Sequence, residues 1–307
     1  MLPHKGPGPH RAFLLASLVA CAEPPRSLAR PNRVAVEPDG TVWVSDFQHD
    51  TLVRWAPDGS FLGRWGENGL GPGELWRVTA MTASAEGLFV ANLRPESDAS
   101  GALVVTELKR IVDGKEVSSA LLDGRTLEPG ARIDGIAVLP DGTLVLADSA
   151  HDELVQVTAD GRHVGRYGGV LRPDADPHAL AAAAGEVWVV ERDRHRVTVI
   201  GAGGKERTFV PKDGAFRFPD AAAVCANASP PWVVVADHGN HRIRRFLLDG
   251  TPLSSFTPHP DGPDRPPQLL DVQVSPTCDT LYVVDSKGDR VLVTDPAGTE
   301  RLTLRSW

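Results

Sequence analysis

The sequence contains few sulfur-bearing residues and has no excess of positive charge. Three cysteines and two methionines in 307 residues exclude a cysteine-dense disulfide scaffold and a methionine-rich adaptable surface. Lys and Arg number 32 against 40 Asp and Glu, for a formal net charge of -8, which argues against a nucleic-acid partner because such binding needs a basic face. The longest apolar run, residues 12–22, is too short to span a bilayer as a helix.

The first 21 residues have the three parts of an export signal. Lys5 and Arg11 form a short basic region, residues 12–20 are mostly apolar, and residues 18–21 read LVAC, the layout of a secretory signal peptide. The last four residues resemble the bacterial lipobox, which implies that Cys21 is lipidated and anchors the protein in the cell envelope. The alternative is an ordinary signal peptide, with a secreted or periplasmic product. Residues 22–30 are then expected to form a tether.

Internal repeats determine the predicted architecture. Four segments share an apolar strand ending in Asp, a five-residue turn and a second strand: residues 41–55, 143–157, 232–246 and 281–294. Weaker copies end at Glu191 and at Asn92, the latter followed by a longer loop. The recurring carboxylates are expected to form turns, at Asp46, Asp148, Asp237 and Asp285.

Further strands flank each copy through Asp-Gly pairs such as Asp39-Gly40 and Asp58-Gly59, a strong hairpin signal. Four antiparallel strands about every 46 residues describe a propeller blade, and no segment shows a sustained helical period. We therefore predict an all-β chain, a six-bladed β-propeller of four-stranded antiparallel blades over residues 31–307.

One blade carries a family resemblance. Residues 236–246 read ADHGNHRIRRF, which resembles the core of the NHL repeat, with its triplet at Asn240, His241 and Arg242. The resemblance extends more loosely over about residues 29–307 and implies a six-bladed propeller. It implies no single function, because one fold serves many.

The first strand of each blade should line a central channel. Residues two positions before an apolar strand residue would then ring its mouth: Asn32, Trp76, Asp134, His178, Asp220 and Leu270. The oxygen ligands and imidazole of Asn32, Asp134, His178 and Asp220 make these four the candidates for a ligand site or a Ca²⁺ site. Zn²⁺ is less expected, because His178 is the sole nitrogen or sulfur ligand among them. Trp76 could stack on a ligand or pack between blades.

Loops on the same face carry a second candidate set: His49, His151, His195, His238 and His241. They could act as general bases, although such residues more often hold turns through backbone hydrogen bonds. Cys225 and Cys278 could form a disulfide in an oxidising compartment, if their Cα atoms lie within reach.

Two functions remain open from the sequence. The favoured one is a surface-anchored module that binds a protein, peptide or glycan. The alternative is an exported, metal-dependent enzyme, a lactonase-like hydrolase or a lyase. The sequence contains no nucleophile elbow, phosphate loop or Cys-x-x-Cys pattern, which favours the binding module.

Overall fold

The computed structural model describes residues 27–98, 101–122, 126–168, 174–259 and 265–306. Cys21 and the rest of the predicted export signal lie outside these residues. The described chain forms six four-stranded antiparallel sheets, each built from consecutive strands. The prediction of an all-β, six-bladed propeller is therefore confirmed. No helix within the described ranges is both long and apolar enough to cross a membrane.

The strands of the first three blades follow one another without crossovers. Blade one contains β1 (Pro31–Val36), β2 (Val42–Asp46), β3 (Thr51–Trp55) and β4 (Phe61–Trp65). A small parallel pair leads to the next blade, β5 (Glu67–Asn68) and β6 (Glu74–Leu75). Blade two contains β7 (Arg77–Ser84), β8 (Gly87–Asp98), β9 (Gly101–Val112) and β10 (Lys115–Leu122). Blade three contains β11 (Ile133–Val138), β12 (Leu144–Asp148), β13 (Glu153–Val157) and β14 (His163–Arg166).

The remaining blades repeat this order. Blade four contains β15 (Pro177–Ala183), β16 (Glu186–Glu191), β17 (Arg196–Ile200) and β18 (Glu206–Phe209). Blade five contains β19 (Ala221–Cys225), β20 (Trp232–Asp237), β21 (Arg242–Leu247) and β22 (Pro252–Phe256). Blade six contains β23 (Leu269–Val274), β24 (Leu281–Asp285), β25 (Arg290–Thr294) and β26 (Glu300–Leu304). Two single 3-10 turns cover Ala202–Gly204 and His238–Asn240.

The first strands of neighbouring blades pack against each other around the central axis, and β23 meets β1 to close the ring. The second strands are apolar runs that are buried along most or all of their length, whereas outer strands such as β4 and β22 are largely exposed. The hydrophobic core therefore lies between blades. Trp43 packs against blade two and Trp188 against blade five.

The recurring aspartates tie each second strand to the start of its own blade. Each accepts a hydrogen bond from a backbone N–H just before the first strand: Ala29 to Asp46 at 3.0 Å, Arg132 to Asp148 at 2.9 Å, Arg217 to Asp237 at 2.8 Å and Gln268 to Asp285 at 3.0 Å. The same carboxylates bond the following turns, as from Ala150 N to Asp148 at 3.0 Å. Their predicted turn-forming role is confirmed.

The ring closes through backbone as well as side chains. Ser27 bridges Ser306, and Leu28 N donates to Arg305 O at 2.6 Å. Leu28 is 2% exposed and packs among residues of blades one and six. The chain segment expected to act as a tether up to residue 30 thus contacts the disc from Ser27 onward.

Blade two differs from its prediction. The residues after Asn92 do not form a loop, because β8 and β9 continue to pair from Leu88 and Ile111 out to Asp98 and Gly101. The long insertion is therefore an extended hairpin. Its strands reach beyond the body of the blade because each added residue finds a partner on the other strand.

Candidate functional site

The channel mouth lies at the start of the first strands, where five blades carry a β-bulge. The register skips one residue in each: Asn32, Thr79, Asp134, His178 and Leu270. In blade five, Asp220 stands directly before β19. Because a bulge re-aims the residue that it leaves unpaired, one residue per blade is singled out at the mouth.

The register corrects the residue expected in blade two. Val90 pairs with Met81, whereas the corresponding Val44 pairs with Val34, so the position equivalent to Asn32 is Thr79. Trp76 lies three residues earlier, before β7. The apolar Val78 misled the sequence interpretation, since it occupies the place of an apolar strand residue in the pattern but not in the fold.

A cavity of about 280 Å³ opens at this mouth and is lined by residues of five blades. Four of its lining residues are arginines: Arg30, Arg33, Arg132 and Arg192. Three of the four predicted site residues, Asn32, His178 and Asp220, also line it. Asp134 lies immediately behind, within ion-pair distance of His178.

His178 lies between two carboxylates. Its Nδ1 is 3.9 Å from Asp134 Oδ2 and its Nε2 is 3.9 Å from Asp220 Oδ1, with 13% of the side chain exposed. Burial lowers the pKa of His178 to about 4, and the positive charge of Arg33 adds to this effect against the opposing carboxylates. The imidazole is therefore neutral at pH 7.

Each carboxylate has its own cation. Arg132 Nε lies 3.0 Å from Asp134 Oδ2, to which Ser149 Oγ donates at 2.6 Å. Arg192 Nε donates to Asp220 Oδ1 at 2.6 Å. Two aspartates that would repel each other alone are thus neutralised by guanidinium groups.

His238 is the loop histidine that reaches this site. Its Nδ1 lies 3.0 Å from Asp220 Oδ2 and 3.2 Å from Leu269 O. The bond to Asp220 raises the pKa of His238 against the opposing effect of burial. Burial alone would raise the pKa of Asp220, but His238 and the neighbouring positive charges outweigh it and lower that pKa.

Asn32 lies at the mouth, but its amide is occupied elsewhere. Its Nδ2 donates to Val78 O at 2.8 Å, and its Oδ1 accepts from Ser45 Oγ. The side chain therefore bridges blades one and two. It lines the cavity, but the ion-pair contacts link only Asp134, His178 and Asp220 among the four predicted residues.

The sequence interpretation missed Arg33 and Asp271. Arg33 Nε donates to Thr79 O at 2.6 Å and its Nη1 to Asn32 O at 3.0 Å. Asp271, 5% exposed, accepts from the backbone N–H of Val34 at 2.9 Å. Burial raises the pKa of Asp271 to about 6, although Arg33 opposes the shift. Arg33 directly follows Asn32 and Asp271 directly follows Leu270, which are both predicted mouth positions. A sequence search that also included the next residue would have identified them.

A metal-type cluster overlaps the site. Asp134, Asp176 and His178 each present a ligand atom within 4.8 Å of the others. Asp176 was not among the sequence candidates. Oxygen-rich sets of this kind suit hard cations, but Arg132 Nε contacts the same Asp134 oxygen that faces His178. A metal ion here would have to compete with a guanidinium group.

The other loop histidines contact their own loops or neighbouring ones. Nδ1 of His49 lies 2.9 Å from Asp46, and that of His151 2.7 Å from Asp148, whose hydrogen bond raises the pKa of His151. His195 Nδ1 accepts from Phe218 N at 3.0 Å, and His241 Nδ1 lies 3.1 Å from Pro267 O. Among these five histidines, His238 alone extends to the mouth.

The opposite face carries different features. Cys225 and Cys278 are joined by a disulfide between blades five and six, with Cα atoms 5.8 Å apart, so the pair lies within reach. A larger cavity of about 660 Å³ opens at this end of the channel. Small residues of β15 line it, including Ala181, Ala182 and Ala183, together with the charged residues Asp141 and Glu186.

No protein-family model and no curated protein matches this chain. Solved structures share its fold. Virginiamycin B lyase from Staphylococcus aureus is 13% identical with a TM-score of 0.57, covering 86% of this chain and 96% of its own. An auxiliary nutrient binding protein from Bacteroides ovatus is 11% identical with a TM-score of 0.61, covering 86% and 69%. The WD40 repeats of RRP9 are 15% identical with a TM-score of 0.56, covering 88% and 79%. Identities this low show a shared propeller fold and do not establish a function for this chain.

Proposed function

We propose that the chain is an NHL-type binding module of the bacterial cell envelope, which takes a protein, peptide or glycan ligand at the channel mouth. The observation that carries the proposal is the mouth cavity, because residues from five blades line it with charged and polar groups. Concave sites with a few convergent polar groups are the usual binding sites of proteins. That known structures of this fold include a nutrient binding protein is consistent with such a role.

A cavity-filling variant tests the binding site. Leu270 lines the mouth, so Leu270→Trp should block it. Leu253→Trp is the matched control, because Leu253 is 42% exposed on the outer strand β22. Glycan and peptide arrays should give hits with the wild type and L253W that L270W loses. Equal binding by all three proteins would place the ligand site elsewhere.

The envelope location is a separate part of the proposal and rests on residues 1–21. If Cys21 carries the lipid anchor, Cys21→Ser should release the protein from the membrane fraction or leave its signal peptide uncleaved. A variant that is cleaved normally and stays in the membrane would contradict lipidation at Cys21.

The second candidate is an exported lyase or hydrolase, with Ca²⁺ or, less expected, Zn²⁺ at the mouth. Neutral His178 between two carboxylates could accept a proton from a substrate, and Asp134, Asp176 and His178 could hold the cation. Added Ca²⁺ should then raise the melting temperature by mass action. Asp134→Asn combined with Asp220→Asn should abolish the rise. If calcium, zinc and chelator all leave the melting temperature unchanged, the metal-dependent enzyme is contradicted and the binding module remains as the proposed function.

A further inference from the structure

The mouth presents positive charge although the chain as a whole is acidic. Its formal net charge is -8, yet four arginines line this one cavity. Three nearby carboxylates are buried, since Asp134, Asp220 and Asp271 are 2%, 1% and 5% exposed. The exposed Asp193, 4.0 Å from Arg192 Nη1, does not line the cavity. The side chains of Arg132 and Arg192 are 59% and 36% exposed. A ligand entering the cavity therefore meets guanidinium groups first.

The arginines keep donors available for such a ligand. Arg132 and Arg192 bind their aspartates through Nε, so their outer nitrogens are not used by these bonds. Nη1 of Arg192 also lies 4.0 Å from Asp193 Oδ1. Arg33 donates to carbonyl oxygens and forms no ion pair with a carboxylate of the described residues. A guanidinium group binds a planar carboxylate through two parallel hydrogen bonds.

Apolar residues form one wall of the cavity and restrict which ligands can bind beside the arginines. The Phe47 ring lies in the cavity lining with Leu270, and the guanidinium groups of Arg30 and Arg77 lie 5.8 Å and 5.2 Å from its centroid. A cavity of about 280 Å³ lies at the small end of ligand-binding sites. It suits a compact molecule with one apolar face.

Resting on the proposed function, we infer that the channel mouth binds a small organic acid through its carboxylate, held by Arg33, Arg132 and Arg192. An organic acid fits better than phosphate, because Phe47 and Leu270 form an apolar part of the lining against which phosphate has no apolar group to pack. Neutral His178 adds no charge of its own, since burial keeps its pKa at about 4.

Calorimetric titration of the full-length protein tests this inference with four probes: glucuronate, glutamate, glucose and inorganic phosphate. Glucuronate presents the carboxylate on a sugar and glutamate presents it on an amino acid. The acid that binds more tightly shows which of these two classes the ligand belongs to. Glucose is the neutral counterpart of glucuronate. At least one of the two acids should bind, more tightly than glucose and phosphate, and added salt should weaken the binding.

Arg132→Gln should weaken acid binding about tenfold or more, because it removes a charge-assisted hydrogen bond. Arg162→Gln is the matched control in the same blade, where the side chain is 77% exposed and pairs with Asp160 away from the mouth. Tighter binding of phosphate, no binding of either acid, or equal effects of R132Q and R162Q would overturn the inference. Array ligands lost in L270W but lacking a carboxylate would overturn it too, while leaving the proposed function intact.

Discussion

Replacing His178 with glutamine should make the protein less sensitive to acid. His178 has a pKa of about 4 in the folded protein against an ordinary value of 6.5. Between these values the unfolded chain binds a proton at this residue and the folded protein does not. The stability of the wild type therefore falls as the pH falls from 6.5 to 4, and glutamine removes that contribution because it does not titrate.

The size of the effect follows from the shift. A pKa lowered by this amount corresponds to about 3 kcal/mol of unfolding free energy, present above pH 6.5 and lost by about pH 4. The sign tests the physical argument, because two carboxylates lie 3.9 Å from the ring. If their attraction outweighed burial and Arg33, the pKa would rise and the wild type would gain stability from acid.

Urea denaturation from pH 4 to 7.5 measures the difference in unfolding free energy between the wild type and H178Q. That difference should change by about 3 kcal/mol in favour of the variant as the pH falls. His163→Gln is the control, since it replaces an exposed histidine on the outer strand β14. A constant difference, or an imidazole that titrates at or above pH 6.5 by NMR, would refute the reasoning.

Three further predictions concern other parts of the molecule. Replacing Cys225 and Cys278 with alanine should lower the unfolding free energy by about 4 kcal/mol at most, since the bond closes a loop with a sequence separation of 53. In denaturation experiments, the wild type treated with reductant should lose the same unfolding free energy as the double variant. If neither change lowers that free energy, the disulfide is contradicted. Leu28→Ala should lower the unfolding free energy by about 2–5 kcal/mol, because Leu28 is 2% exposed at the ring closure. An unchanged melting temperature would show that this segment does not stabilise the fold. Asp271→Asn should act oppositely to H178Q. The pKa of Asp271 is raised to about 6, so the wild type should gain about 3 kcal/mol relative to the variant as the pH falls from above 6 to below 4, and parallel pH profiles would show that Asp271 titrates normally.

The site was harder to predict than the fold. Asp134, His178 and Asp220 do converge at the mouth, and the repeat pattern was enough to find them. The same pattern misplaced blade two at Trp76 instead of Thr79, a shift of three residues, because Val78 was taken for the apolar strand residue that Met81 provides in the fold. A shift of this kind changes which side chains face the channel, and no residue type near Trp76 signals it.

The arginines of the mouth show why part of the site could not be predicted from the sequence. Arg30, Arg132 and Arg192 lie in connections, outside the repeated strand pattern, so nothing in their spacing assigns them to one cavity. They meet because the ring brings the starts of different blades to a common axis. Burial raises the pKa of Asp220, but the hydrogen bond from His238 and the charge of Arg192 help to lower it, which a local sequence cannot indicate.

The sequence by itself determined the blade, its strands and its turns. These depend on interactions within about 46 residues: apolar runs that must be buried, Asp-Gly turns, and carboxylates such as Asp148 that bond the N–H group of Arg132 in the same blade. Tertiary structure alone decided which residues share the mouth, because Arg33 and Asp271 are separated by most of the chain. It also decided that His178 stays neutral, since burial and neighbouring charge set its pKa, and both arise only when the ring closes.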